Sequence, residues 1–179
     1  LQYQVYDVTE QLRNGSNALG VILGNGWYRA FNPNGRPMPD VWDVEVIGQL
    51  EVTYTDGSVQ VIPTDESWKS STGPVLRSEI FFGEIYDARL EMDGWAQPGF
   101  NDSQWKGVVK TGSQKNNLVG SISEPMRKIE TLKPVKVIYT SEGDTVLDMG
   151  QNMVGWCRLQ LNVPAGTQIT LRHAEVLDK

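Results

Sequence analysis

Two carboxylates, Glu84 and Asp87, lie in the polar stretch 83–89 that directly follows the apolar residues 80–82. A glycosidase needs two carboxyl groups that face one bond, about 5 Å or about 6.5–9.5 Å apart. Side chains alternate along a strand, so Glu84 and Asp87 would point to opposite faces. Asp87 and Arg89 would share a face, and the spacing therefore favours a structural ion pair at a loop crossing over a catalytic pair.

Indole rings are the second group of interest, because they stack on sugar faces and also fill β-sandwich cores. Four of the six tryptophans lie between residues 27 and 95, namely Trp27, Trp42, Trp68 and Trp95. Both interpretations stay open for each ring, with the core role favoured. Trp105 follows a short polar loop and is predicted to anchor it.

Oxygen donors that suit a hard divalent cation occur in residues 32–35, 39–43 and 93–94. Their spacing does not match an EF-hand loop, so solvated loops are favoured over an ion site. The single cysteine, Cys157, and single histidine, His173, exclude sites built from several such ligands. We expect Cys157 to be a small buried apolar residue. We expect His173 to be a hydrogen-bonded residue of a core or of an interface, with any partner outside this chain.

Alternation of apolar and polar residues predicts an all-β protein. Two alternating runs, 50–54 and 59–61, flank Asp56-Gly57, which predicts a hairpin. Residues 157–163 and 169–173 predict two more strands around a turn at 164–166. The one helix-like stretch is 8–12, with Thr9 as the predicted N-cap.

The predicted fold is a jelly-roll-like antiparallel β-sandwich followed by the first strands of a second β-sandwich. Polar residues 114–117 and the prolines at 125 and 134 indicate a boundary, which we place between domains 1–122 and 123–179. The second domain is expected to be truncated, and the chain to be a piece of a longer polypeptide.

The net charge of the chain limits the classes of molecule that it can bind. The chain has 16 Lys and Arg against 22 Asp and Glu, a net charge of −6. This acidic balance argues against nucleic acid and against an anionic membrane surface. It is compatible with neutral sugars.

Several stretches together resemble the N-terminal sandwich of bacterial α-L-rhamnosidases of glycoside hydrolase family 78. They include Tyr6-Asp7-Val8-Thr9, the run 24–26 followed by Trp27-Tyr28-Arg29, Trp68, Glu84-x-Tyr86-Asp87-Ala88-Arg89, Gly94-Trp95 and Asp102-Ser103-x-Trp105. Residues 148–155 and 173–177 resemble the opening of the next β-sandwich. The order and spacing of these stretches carry the resemblance over essentially the whole chain.

The resemblance implies inverting hydrolysis of terminal α-L-rhamnosyl residues by carboxylates of an (α/α)6 barrel that lies outside this chain. It therefore implies a non-catalytic accessory fragment that supports the barrel and has no catalytic residues of its own. The expected partners are a rhamnose-containing glycoside or polysaccharide and the catalytic barrel of the same protein. A periplasmic or extracellular location is slightly favoured over a cytoplasmic one.

Two alternatives remain, a purely structural interdomain scaffold and a calcium-dependent rhamnose-binding module. Some relatives of this sandwich hold Ca²⁺ between protein oxygens and sugar hydroxyls, which would place the metal here at Asp40, Asp93 and the carbonyl of Pro98. Those relatives carry an Asp-Asn pair, whereas Asp40 is followed by Val41. The sugar-binding residues would be Trp42, Trp68, Asp40 and Asp93.

Overall fold

The computed structural model describes residues 1–26, 28–29, 43–79, 82–112 and 117–176. Within these ranges the regular elements are strands and two short 3-10 helices, Thr9–Gln11 and Ala88–Leu90, and no α-helix occurs. The strands are β1 (Gln2–Tyr3), β2 (Gln49–Thr53), β3 (Val59–Pro63), β4 (Lys69–Ser70), β5 (Val75–Glu79), β6 (Gly83–Tyr86), β7 (Lys106–Gly107), β8 (Val119–Gly120), β9 (Lys136–Tyr139) and β10 (Thr145–Asp148). The all-β prediction is confirmed.

Strands associate as local pairs. β2 pairs with β3, β4 with β7, β5 with β6 and β9 with β10, all antiparallel, and β1 pairs with β8. The first of these is the predicted hairpin. Its turn is closed by the Gly57 N–H, which donates to the Tyr54 carbonyl at 2.9 Å, and Gly57 has a φ of +83°. This left-handed backbone conformation is one that glycine adopts without steric cost.

Internal contacts divide the chain into two units, residues 1–119 and 120–179, which we describe separately. The proposed domains 1–122 and 123–179 stay a prediction, as does the jelly-roll connectivity. No helix of the described residues is long and apolar enough to cross a membrane.

The short helix near the N-terminus differs from expectation in its cap. Thr9 lies inside the 3-10 turn, and the N-cap is Val8. The Asp7 carboxylate accepts a hydrogen bond from the Thr9 N–H at 2.9 Å. The side chain that accepts a hydrogen bond from the first turn of this helix is therefore that of Asp7, not that of Thr9.

The second unit departs most from the predicted strands. The turn at 164–166 forms, because the Thr167 N–H donates to the Pro164 carbonyl at 3.1 Å. The described residues on either side of it, 151–163 and 168–176, are not in strands. Cys157 and His173 are exposed, so the predictions that Cys157 is buried and that His173 lies in a core are wrong, whereas an interface position for His173 stays a prediction.

Burial explains this difference. Leu159, Leu161 and Val163 are 44%, 51% and 46% exposed, and Ile169 and Leu171 are 42% and 49% exposed. No described residue as a whole is less than 2% exposed, although the side chain of Glu79 is fully buried. The apolar faces of the predicted strands 157–163 and 169–173 are uncovered, and a strand without a covering layer or a ladder partner is not stable.

Candidate functional site

An open cleft of about 320 Å³ lies in the first unit. Three segments form it, one near the N-terminus, one at the start of β4 and one before β7. The residues that line it are Asn17, Ala18, Leu19, Ser67, Trp68, Lys69, Trp95, Gln97, Pro98, Gly99, Phe100, Asp102 and Trp105. Its volume lies at the lower end of the range of small-molecule sites, about 300–1,000 Å³.

Two of the cleft tryptophans flank the β4–β7 ladder. Trp68 directly precedes β4 and Trp105 directly precedes β7, so in this antiparallel pair they lie at opposite ends of the ladder. Both are held by a turn hydrogen bond. The Trp68 N–H donates to the Asp65 carbonyl at 3.2 Å, and the Trp105 N–H donates to the Asp102 carbonyl at 3.0 Å.

An aromatic cluster forms one wall of the cleft. The rings of Trp95 and Trp105 stack with centroids 6.4 Å apart and planes inclined by 27°. Phe100 meets Trp105 edge-on, with centroids 5.6 Å apart and an angle of 64°. These are favourable arrangements for aromatic quadrupoles, and all three side chains are half-buried. Trp105 therefore anchors its loop, as predicted.

Close packing of the backbone against Trp95 shapes the same wall. A Cβ added at Gly20 would lie 2.3 Å from Cζ3 and 2.7 Å from Cη2 of the Trp95 indole. Real Cβ atoms do not approach other atoms so closely, so the indole can occupy this place only because residue 20 is glycine.

The charged side chains among the described lining residues are Lys69 and Asp102. Lys69 Nζ lies 2.7 Å from Asp102 Oδ1, a charge-assisted hydrogen bond. The side chains are 42% and 48% exposed, so both groups remain open to the cleft and to solvent.

The predicted Asp87–Arg89 ion pair is present, but not on a strand face. β6 ends at Tyr86, and Asp87 is the N-cap of the following 3-10 helix. Its carboxylate accepts from the backbone N–H of Arg89 at 3.1 Å, from Nε at 2.8 Å and from Nη2 at 2.5 Å. The hydrogen bonds from the Arg89 side chain and backbone lower the pKa of Asp87 to about 2.

The neighbouring acidic residues are exposed. Glu84 lies in β6, and Glu91 accepts a hydrogen bond from the Tyr86 hydroxyl. That bond, with smaller contributions from burial and from nearby carboxylates, raises the pKa of Tyr86 to about 12. A general acid of a glycosidase needs a raised carboxyl pKa, and Asp87 shows the opposite shift.

Motif residues 24–29 reach the β5 strand. Gly26 forms a parallel bridge with Glu79, whose side chain is buried and accepts a hydrogen bond from the Phe82 N–H. Tyr28 is 57% exposed. The Arg29 guanidinium lies 3.7 Å from the Asp43 carboxylate. The structural role of the motif stays a prediction.

The predicted ligand residues are only partly described. Trp27, Asp40 and Trp42 lie outside the described residues. Trp68 and Pro98 share the cleft, whereas Asp93 is exposed in the turn just before Trp95 and does not line it.

No group of three or more His, Cys, Asp or Glu residues that could hold a metal ion occurs in the described part of the chain. The assignments of Trp68, Asp93 and Pro98 to sugar or metal binding stay predictions.

Sequence reasoning missed Lys69, Asp102 as a cleft residue, and Gly20. The contacts that define them join residues far apart in the chain, and no local pattern marks such contacts. The segments Trp68-Lys69 and Asp102-x-x-Trp105 are present in the sequence, but only the fold shows that they line one cleft and that Lys69 contacts Asp102.

Comparisons with known proteins agree with the resemblance in the sequence. Residues 1–130 match the family model of the α-L-rhamnosidase N-terminal domain, and residues 138–179 match that of the bacterial α-L-rhamnosidase concanavalin-like domain. An α-L-rhamnosidase of Streptomyces avermitilis is 39% identical over 99% of this chain. One of an Alteromonas species is 35% identical over 97% of it. The chain spans only 17% and 19% of these relatives.

Solved structures give the same result. The native α-L-rhamnosidase of Aspergillus terreus matches 87% of this chain and 18% of its own, with a TM-score of 0.74 and 38% identity. The Streptomyces avermitilis α-L-rhamnosidase complexed with L-rhamnose matches 60% of this chain and 10% of its own, with a TM-score of 0.55 and 37% identity. The antiparallel strand pairs described above are consistent with the β-sandwich regions of such proteins. The chain belongs to the α-L-rhamnosidase N-terminal domain family.

Proposed function

We propose that this chain is a non-catalytic accessory region of an enzyme that removes terminal α-L-rhamnosyl residues, and that it supports a catalytic (α/α)6 barrel. Family membership over residues 1–130 is the observation that carries the proposal. The share of its relatives that the chain spans, 17–19%, leaves room for a separate catalytic region.

The chemistry of the carboxylates supports the same proposal. Asp87 is held ionised by Arg89, with a pKa of about 2, and cannot deliver a proton at neutral pH. Glu84 and Asp87 lie on different elements, a strand and the N-cap after it. Asp87 therefore lacks the environment of a general acid, and Glu84 is exposed on β6.

Hydrolysis of an aryl α-L-rhamnoside tests this proposal. We expect no turnover by the chain alone. Turnover that survives repeated purification and disappears in Glu84→Gln would contradict it and identify a catalytic carboxylate within the chain.

A second function, sugar binding in the cleft, is favoured by the position of Trp68 and Pro98 in the lining of this open cleft. An indole offers an apolar face to the C–H groups of a sugar ring, while polar groups at its edge meet the hydroxyls. The ligand proposed is a neutral rhamnosyl residue of a glycoside or polysaccharide.

Calcium would take part through Asp40, Asp93 and the Pro98 carbonyl in this second function. Ca²⁺ takes six to eight oxygen ligands, and sugar hydroxyls can supply some of them. Two of the three protein donors are described, one in the cleft wall and one in the exposed turn that precedes it. The oxygen-only donor set suits a hard cation.

Calorimetric titration with L-rhamnose, in Ca²⁺ and in EDTA, tests the second function. Binding heat that Trp68→Ala abolishes would support it, with Trp156→Ala as the control because Trp156 is 75% exposed in the other unit. Loss of heat in EDTA would assign the calcium role. Absence of heat in both buffers would contradict sugar binding and leave the supporting role alone.

A further inference from the structure

The polar pair Lys69–Asp102 has a chemistry that the aromatic wall lacks. Lys69 carries three N–H donors and no acceptor, and the Asp102 carboxylate carries acceptors and no donor. Their mutual bond, at 2.7 Å, uses only part of this capacity. With 42% and 48% of the two side chains exposed, the remaining donors and acceptor sites are available to a ligand.

A sugar hydroxyl both donates and accepts hydrogen bonds, so two adjacent hydroxyls match an ammonium and a carboxylate placed side by side. We propose that Lys69 and Asp102 bind the hydroxyls of the ligand and make the cleft selective for neutral over acidic sugars. This rests on the proposed function of the cleft as a sugar site.

Charge balance is the reason for the selectivity. The two opposite charges cancel at a distance, while each still forms a strong hydrogen bond at contact. An acidic sugar would have to displace Asp102 from Lys69 or place its own carboxylate beside that of Asp102, and like charges in one site repel. A neutral ring has no such cost and can use both groups.

The competing explanation is a structural one. Lys69 lies in β4 and Asp102 in the loop before β7, so their ion pair also ties that loop to the strand. A tie of this kind would affect folding but not the choice between neutral and acidic ligands. The test must therefore measure ligand preference as well as stability.

Two variants separate these roles. Asp102→Asn keeps the size of the side chain and leaves the Lys69 charge unbalanced, and Lys69→Met removes the ammonium at similar length. Lys106→Met is the matched control, because Lys106 is an exposed lysine of β7 outside the cleft wall. Each protein is titrated with L-rhamnose and with D-glucuronate at low and high salt, and its melting temperature is recorded.

We expect the unmodified chain to bind L-rhamnose and not D-glucuronate. Both cleft variants should lose about tenfold in affinity for L-rhamnose, the usual effect of removing a hydrogen bond to a charged group. Asp102→Asn should in addition gain D-glucuronate binding that weakens with salt, and Lys69→Met should not. The control should bind as the unmodified chain does.

The outcomes separate the two proposals. If the unmodified chain binds neither sugar, the cleft is not a sugar site and the proposed binding function fails together with this inference. If it binds L-rhamnose and both variants bind the two sugars as it does, only the role of the pair is overturned. A lower melting temperature with unchanged sugar preference would likewise assign the pair a structural role alone.

Discussion

Residues 65–107 of the first unit and residues 151–176 of the second both contain tryptophans and alternating apolar side chains. Among their described residues, only the first region forms a strand ladder and contacts between aromatic rings. In residues 65–107 an aromatic cluster, a strand ladder and an ion pair join distant parts of the chain. In residues 151–176 one turn forms, and the residues around it lack strands. Apolar alternation is thus insufficient for a strand without a partner to pair with.

Removing Trp105 should give the largest difference between the regions. Trp105→Ala deletes a ring that contacts both Trp95 and Phe100, and we expect a loss of about 2–3 kcal/mol in unfolding free energy. Trp156→Ala should change it by less than about 0.5 kcal/mol, since Trp156 is 75% exposed. Urea denaturation followed by circular dichroism measures both, and equal losses would contradict the comparison.

Filling the space at Gly20 should have the next largest effect. Gly20→Ala forces the Trp95 indole to shift, and overpacking of this kind costs about 1–3 kcal/mol. The displaced ring should also change the tryptophan emission spectrum. Gly112→Ala, where an added Cβ meets nothing within 4 Å, is the control and should leave emission unchanged. An unperturbed spectrum in Gly20→Ala would show that Trp95 does not depend on this contact.

Two turn glycines test whether a turn is coupled to folding. Gly57 and Gly166 have nearly the same φ, +83° and +85°, so alanine is equally strained at either position. Gly57→Ala should cost about 1 kcal/mol, because the turn joins the β2–β3 ladder. Gly166→Ala should be nearly neutral in denaturant unfolding, because no ladder flanks its turn in the described residues. A loss of about 1 kcal/mol in unfolding free energy for Gly166→Ala would contradict this and show that the turn at 164–166 unfolds together with the rest of the chain.

Acid titration should show the smallest effect. The pKa of Asp87 falls from 3.8 to about 2 on folding, so its contribution is present above pH 3.8 and is lost as the pH falls towards 2. Asp87→Asn should remove this part of the pH dependence of stability. Asp144→Asn, at an exposed position in the turn between β9 and β10, is the control and should preserve it. An unchanged pH profile in Asp87→Asn would show that Arg89 does not act on this carboxylate.

Local signals account for what the sequence predicted well. The hairpin around Asp56-Gly57 and the turn at 164–166 depend on residues adjacent in the chain, and both form. The Asp87–Arg89 pair was also predicted, since only Ala88 lies between the two residues. Its place at a helix cap was missed because nothing in residues 83–89 marks where β6 ends.

Long-range contacts account for what could not be predicted. The strand expected at 157–163 needs a partner whose position the sequence does not give, and Cys157 is exposed for that reason. The close approach of Gly20 to Trp95 and the bond between Lys69 and Asp102 likewise depend on how separate segments meet. Trp68 was singled out by its residue type, but the cleft around it was not.

Hydrogen–deuterium exchange of the chain, with and without L-rhamnose, tests the central claim that residues 65–107 are ordered and supply most of the proposed sugar site. The account predicts slow exchange around β4 and β7 that slows further with the sugar at residues 66–70 and 95–105. It predicts fast exchange at residues 151–176 in both conditions. Protection of residues 151–176, or a sugar effect confined to them, would contradict it.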